Sequence, residues 1–192
     1  MTVELETAHL LGPTNVDDWL AEEQPTDGSR LELILGYLYV TPPPGGPHQY
    51  STFHLARVLH DAVLAAGRTD LTVLPGVGVK ISTAFRTALI PDISLVDADI
   101  NHVSFAPENL VLAVEVWSAG NTWEERDTKI AAYANAGVRY LWIVETPKDK
   151  PLRFWGYQLA GAGYRQMAYA AAGETVIAPA PVPVTLDTAV LR

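Results

Sequence analysis

Apolar residues recur along this chain with two periods, and the switches between them mark the elements. Between His48 and about Ala66 the spacing is helical, with Phe53, Leu55, Ala56, Val58, Leu59, Ala62 and Val63 recurring on one side and Gly67 supplying a stop. A second helix is predicted from Asn121, a capping residue with Glu124 three positions on, to Gly137. Its apolar face is Trp123, Ile130 and Ala134, with Lys129 and Tyr133 sharing the flank. A short helix capped by Thr14 and carrying Asp17 and Asp18 in its first turn is expected to reach about Glu23.

Elsewhere the pattern is that of strands. Arg30 to Leu35 and Tyr37 to Val40 read as two short strands about Gly36, ended by a loop from Thr41 to Pro47. Three strand candidates follow the first long helix: Leu71 to Ile81 with a Pro75-Gly76 interruption, Ala88 to Val96, and Leu110 to Trp117. Their apolar density predicts burial on both faces. Arg139 to Glu145 is another buried strand, stopped by Thr146-Pro147, and Leu152 to Leu159, Tyr164 to Tyr169 and Val182 to Leu186 read as short strands. The order from His48 is helix, three strands, helix, strand, which favours a mixed α/β sheet with helices on its faces.

A chain of 192 residues, 48% of them hydrophobic, suits one domain over residues 1–192 with a proper core. The absence of cysteine excludes disulfides and thiolate metal sites, so any metal is held by oxygen or imidazole. The opening Met1 to Glu6 is acidic and has no apolar signal core, and no apolar run approaches the ~20 residues a membrane helix needs. A soluble, cytoplasmic protein without a membrane partner is expected. The formal net charge of −9 argues against broad attraction to nucleic acid. Against that, Arg126, Lys129, Arg139, Lys148, Lys150, Arg153 and Arg165 cluster between positions 126 and 165, which leaves room for a local basic surface.

Charge inside the apolar runs is where chemistry enters. Asp92 follows Pro91 within Leu89 to Val96, and Glu115 carries the only charge from Leu110 to Trp117. A carboxylate in such a run must lose water, which is costly unless something compensates it. For Asp92 the plain alternative is a residue that caps a turn or bonds neighbouring amides, and for Glu115 it is a core pair with an arginine. On neighbouring strands the two could instead share Mg²⁺, an ion that takes oxygen ligands and keeps several waters. Lys129 can reach the edge of the core and steady charge growing on phosphate, or else lie solvated on the surface. Glu32 alternates with Arg30 and Ile34 and offers either a third carboxylate or a surface pair with Arg30; His48 lies at the loop-to-helix junction. His9, His48, His54, His60 and His102 show no zinc spacing, the segment Gly76 to Lys80 lacks the features of a phosphate loop, and no Gly-x-Ser-x-Gly elbow occurs. A glycosidase using the two carboxylates as acid and base ranks last, for want of a legible sugar cleft.

Taken in order, these fragments resemble the Uma-two family of restriction-endonuclease-like proteins, a branch of the PD-(D/E)XK nuclease superfamily. The resemblance rests on Glu32 before Gly36 and Tyr39, the proline-rich loop leading to His48, Pro91-Asp92, Glu115 to Ser118, Lys129, Tyr133, Ala136 to Val138 and Tyr140 to Val144. It implies an αβββαβ core with additional strands at both ends. It also implies phosphodiester hydrolysis dependent on Mg²⁺ or Mn²⁺, with Asp92 and Glu115 as metal ligands and Lys129 and Glu32 completing the catalytic set. Trp117 occupies the position two after the second carboxylate where the wider superfamily has its lysine, and Lys129 resembles the relocated lysine of this branch. Where many members carry an aspartate between the serine and the lysine, this chain has Glu125, with Asp127 nearby. The expected partner is nucleic acid, DNA foremost, and the expected assembly a homodimer, since cutting two strands calls for two sites. A non-catalytic binding or dimerisation module that kept the nuclease fold is the alternative.

Overall fold

The structure is a computed structural model that describes residues 11–118, 120–146 and 150–191. The acidic opening Met1 to Glu6, His9, Pro147 and Lys148 lie outside the described residues. In chain order the elements are α1 (Val16–Ala21), β1 (Arg30–Ile34), β2 (Tyr37–Thr41), α2 (Gly46–Ala65), β3 (Thr72–Pro75), β4 (Gly78–Ser82), β5 (Thr87–Leu89), β6 (Ile93–Val96), β7 (Ser104–Phe105), β8 (Leu110–Trp117), α3 (Trp123–Asn135), β9 (Tyr140–Glu145), β10 (Arg153–Ala160), β11 (Gly163–Ala171), β12 (Thr175–Ala178) and β13 (Val184–Asp187).

A six-stranded sheet of order β11-β10-β9-β8-β6-β3 carries the expected core. Its β3, β6 and β8 pair antiparallel, β8 and β9 run parallel, and α3 makes the crossover between the latter two, as a parallel pair requires. With α2 in front, the segments α2, β3, β6, β8, α3 and β9 spell αβββαβ. On α2 the buried stripe Leu55, Leu59 and Val63 repeats every four residues and packs against β3, β8 and β13. Along β8 the pleat sorts side chains by face: Leu112, Val114 and Val116 join the core with α2, whereas Ala113 and Trp117 join the core with Tyr133 of α3. Glu115 therefore faces α3.

Two of the three expected strands prove to be pairs of strands in different sheets. The run Leu71 to Ile81 breaks at Pro75-Gly76 into β3 and β4, and Ala88 to Val96 breaks at Ile90 to Asp92 into β5 and β6. The halves β4 and β5 leave the main sheet for a second one of order β2-β1-β5-β4-β7. Asp92 consequently sits in the link between β5 and β6 rather than within a strand. Burial on both faces holds for β5, β6 and β8 but not for β3, whose residues are half-buried or exposed.

Smaller corrections concern caps and faces. Asn15, not Thr14, caps α1, accepting from the amides of Asp17 and Asp18 while the Asp18 carboxylate accepts from the Asn15 amide. Thr122, not Asn121, caps α3 and accepts from the Glu125 amide. Trp123 is 73% exposed, and the buried residues of α3 are Lys129 and Tyr133. Beyond β9, β11 is longer than the expected Tyr164 to Tyr169, β13 begins later than the expected Val182, and β12, paired with β13, joins them. The β1–β2 hairpin turns on Leu35 and Gly36, whose φ angles of 51° and 82° belong to the mirror-image turns that match strand twist. A Cβ on Gly36 would lie 2.4 Å from the Gly12 carbonyl oxygen, so this turn has room only for glycine. Among the described residues, no helix is long and apolar enough to cross a membrane.

Candidate active site

Three segments far apart in sequence deliver their carboxylates to one cleft. The β6–β8 register pairs Ile93 with Val114, and one step further along it brings Asp92 level with Glu115. Glu32 arrives from β1, through the second sheet. All three are buried, and with Lys129 of α3 they line a cleft of about 390 Å³ whose wall includes Arg30, His48, Pro42 to Pro44 and Trp117. The four residues singled out in the sequence thus come together, Lys129 on a buried face rather than in solvent.

The hydrogen bonds divide this cluster into two ends. At one end Asp92 accepts from Arg30 at 2.7 Å through Oδ1 and from the Val116 amide at 2.8 Å through Oδ2, with His48 Nε2 3.1 Å from Oδ2. Burial pushes the Asp92 carboxyl up, but His48, Arg30 and the amide outweigh it and hold the group below the ordinary value of 3.8. The His48 position follows from the start of α2, whose first turn it occupies.

At the other end Glu115 Oε1 accepts from the Tyr133 hydroxyl at 2.6 Å, and Oε2 lies 3.8 Å from Lys129 Nζ. Lys129 sits closer to Glu32, 2.8 Å from Oε2 and 3.1 Å from Oε1, and the Ile90 amide donates to that same Oε1 at 2.8 Å. Burial pushes the Glu115 carboxyl up to about 7, with the neighbouring Asp92 and Glu32 charges adding to the rise and Lys129 and the Tyr133 hydroxyl opposing it. Burial depresses the Lys129 ammonium, but Glu115 and Glu32 more than reverse this and keep it charged. Tyr133 is raised well above 10 by burial and by Glu115, so it serves as a neutral donor.

Several alternatives weighed from the sequence resolve here. Glu32 pairs with Lys129, and Arg30 pairs with Asp92. Glu115 meets a tyrosine and a lysine rather than an arginine. Asp92 does bond an amide, that of Val116, as well as Arg30 and His48. Glu125 lines the cleft and accepts from the Asn121 side chain at 3.0 Å, while Asp127 is exposed and outside the lining. Within the basic stretch, Arg126 and Arg153 both contact Glu145, at 2.7 and 2.6 Å. Arg30 as the partner of Asp92 was missed, because 62 residues separate the two and no local pattern links them. Tyr133 carried a signal, its four-residue spacing from Lys129.

Whether these groups suit a divalent cation depends on their free acceptor capacity. Among the described residues, no three His, Asp or Glu side chains are arranged to hold a metal ion by themselves. Two carboxylates, however, suit an ion that keeps much of its own water, as Mg²⁺ does. Oδ1 of Asp92 takes one donor and an ionised carboxylate oxygen can accept two, while Oε2 of Glu115 has its nearest cation beyond hydrogen-bond distance. The donor set is hard oxygen, and it fits.

Comparison with known proteins gives a family and a fold. The model of the family Uma2, described as putative restriction endonuclease, matches residues 18–190. No curated protein matches the chain. Among solved structures, a putative nuclease belonging to DUF820 from Anabaena variabilis ATCC 29413 aligns with a TM-score of 0.64 and 16% identity, over 88% of this chain and 90% of that one. At that identity the likeness is one of fold.

Proposed function

The chain belongs to the Uma2 family, and from that premise we propose that it is a metal-dependent endonuclease hydrolysing phosphodiester bonds in DNA. In this reading Asp92 and Glu115 hold Mg²⁺ or Mn²⁺, and Lys129 and Glu32 complete the catalytic set. The observation that carries it is the meeting of Asp92, Glu115, Glu32 and Lys129 in one cleft, from segments that share no local reason to converge. When bound, a divalent cation supplies a Lewis acid that eases ionisation of its water and offsets charge on the phosphate. Glu32 fixes the Lys129 ammonium beside Glu115, where it stabilises negative charge as it grows on phosphate. Arg30, His48 and the Val116 amide keep Asp92 ionised and oriented.

Residues 1–192 act in this proposal as one restriction-endonuclease-like domain, assembled as a homodimer, the commonest closed assembly, and working in the cytoplasm, whose reducing conditions suit a chain without cysteine. Sedimentation equilibrium gives the mass of the assembly. The direct test incubates the purified protein with DNA and Mg²⁺ or Mn²⁺ beside Asp92→Ala and Glu115→Ala. Cleavage by the wild type and its loss in both variants is expected, and equal cleavage by all three removes the claim. A binding or dimerisation module without turnover is the second reading, favoured by the Arg30 and His48 contacts that already engage Asp92. Calorimetric titration with Mn²⁺ separates the two, since uptake abolished by Glu115→Gln contradicts the module.

A further inference from the structure

The β1–β2 register sets a row of side chains beside the carboxylates. Arg30 opposes Thr41, Glu32 opposes Tyr39 and Ile34 opposes Tyr37, and directly opposed residues lie on the same face of a sheet. Tyr37 and Tyr39 therefore stand on the face that carries Glu32, one pleat repeat or roughly 7 Å apart along the strand. Tyr39 lines the cleft, and its neighbours Pro42 to Pro44 continue that wall with a stiff backbone. The two tyrosines are 48% and 49% exposed on a strand, Tyr37–Thr41, that has no charged residue and lies at the edge of its sheet among the described residues. Edge strands are ordinarily guarded by charge, and exposed aromatic side chains without such a guard mark a contact surface.

Electrostatics narrows what that surface takes. The permanent cations lining the cleft are Arg30 and Lys129, and each already pairs with a carboxylate, at 2.7 and 2.8 Å. Four carboxylates, Glu32, Asp92, Glu115 and Glu125, line the same space. A duplex bearing a phosphate charge about every 1.7 Å meets no row of free cations here among the described residues. A single strand carries half that charge density, about one phosphate per 3.4 Å, and the stacking of its bases on an aromatic ring is itself uncharged and tolerant of sequence.

We infer that Tyr39, with Tyr37 next to it, is a stacking platform for unpaired bases, and that the substrate class is a single-stranded nucleic acid or the single-stranded segment of a larger one. This rests on the nuclease reading above and specifies its substrate. The test is fluorescence anisotropy with one labelled DNA oligonucleotide, as a single strand and as a duplex, with Ca²⁺ in place of Mg²⁺, for the wild type, Tyr39→Phe, Tyr39→Ala and Tyr37→Ala. The single strand binds tighter than the duplex, and Tyr39→Ala weakens it by roughly tenfold or more, Tyr37→Ala by less, while Tyr39→Phe retains it. The slope of log affinity against log salt is shallow, no steeper than about −2. Duplex binding as tight as single-strand binding, or a Tyr39→Ala variant that binds like the wild type, overturns the platform and leaves the nuclease reading standing. Failure of both DNA forms to bind removes the nuclease reading itself. If Tyr39→Ala instead turns a dimer into a monomer in sedimentation and spares single-strand binding, the edge belongs to a second copy of the chain and the platform is wrong.

Discussion

Asp92 and Glu115 are equally buried, each 4% exposed, and line the same cleft, yet they treat protons oppositely. Asp92 is held below its ordinary value and Glu115 is raised to about 7. Burial pushes both upward, so burial does not explain the difference. The neighbours do. Asp92 has Arg30, His48 and the Val116 amide within 3.1 Å, two of them able to carry positive charge. Glu115 has one neutral donor in contact, and its nearest cation, Lys129, leans toward Glu32. The end with surplus donors fixes a carboxylate, and the end that lacks them leaves a carboxylate with an unmet demand for positive charge.

The comparison breaks most visibly at Lys129. Among the described residues it is the cation in contact with both Glu32 and Glu115. Replacing it by methionine keeps the packing of the stem but leaves two buried carboxylates without a cation, each with one neutral donor. Lys129→Met is expected to lower unfolding free energy by about 3–5 kcal/mol in urea titrations at neutral pH without metal. The double variant Lys129→Met/Glu32→Gln should recover part of that loss. A midpoint unchanged by Lys129→Met would mean that the poorly compensated end is not held by this cation at all.

The same contrast explains what could be read from the sequence. Charge is conspicuous inside apolar runs, so Asp92 and Glu115 stood out, and the long runs Leu110–Trp117 and Tyr140–Glu145 with the Leu55-Leu59-Val63 stripe carried the αβββαβ core. Hydrophobic periodicity does not say which sheet a strand joins, so the breaks at Pro75-Gly76 and at Pro91-Asp92, where a run changes sheets, were legible only as an interruption or not at all. Lys129 is ambiguous in sequence because a lysine on a helix flank is ordinarily solvated, and the carboxylates that make its burial tolerable, Glu115 and Glu32, come from other segments, Glu32 from 97 residues away. Trp123 is the converse: it shares helical spacing with Ile130 and Ala134, but the face that turns inward is the flank carrying Lys129 and Tyr133. The Arg30–Asp92 juxtaposition belongs to tertiary pairing.

A second pair of substitutions sharpens the comparison through pH. Glu115 ordinarily titrates near 4.5 and in the folded chain at about 7, so the native state binds more protons between those values, and the stability this contributes is lost as pH rises through 7. Glu115→Gln removes the burden. In chelator at pH 8 it should be more stable than the wild type by up to about 3 kcal/mol, with the gain vanishing below about pH 5. Asp92 has the opposite sign: its contribution is present above 3.8 and lost as pH falls below that value. Asp92→Asn should therefore cost stability at neutral pH and progressively less in acid. Thermal unfolding from pH 3 to pH 8 checks both, and parallel pH profiles for the two variants would erase the distinction between the ends.

The smallest effect belongs to Tyr133. Its hydroxyl is the donor in contact with Glu115 Oε1, and its own ionisation lies far above neutrality, so across the accessible range it keeps the proton it donates. Tyr133→Phe keeps the ring and removes that donor. At pH 6, where Glu115 is mostly protonated, the expected cost is about 1 kcal/mol. At pH 8, where the acceptor is an anion, a charge-assisted bond is lost and the cost should rise to about 2 kcal/mol. The pH dependence carries the information, because a residue that merely packs would cost the same at both values. An equal loss at pH 6 and pH 8 would show that the hydroxyl does nothing for the Glu115 charge, and that burial and the neighbouring carboxylates alone set its proton.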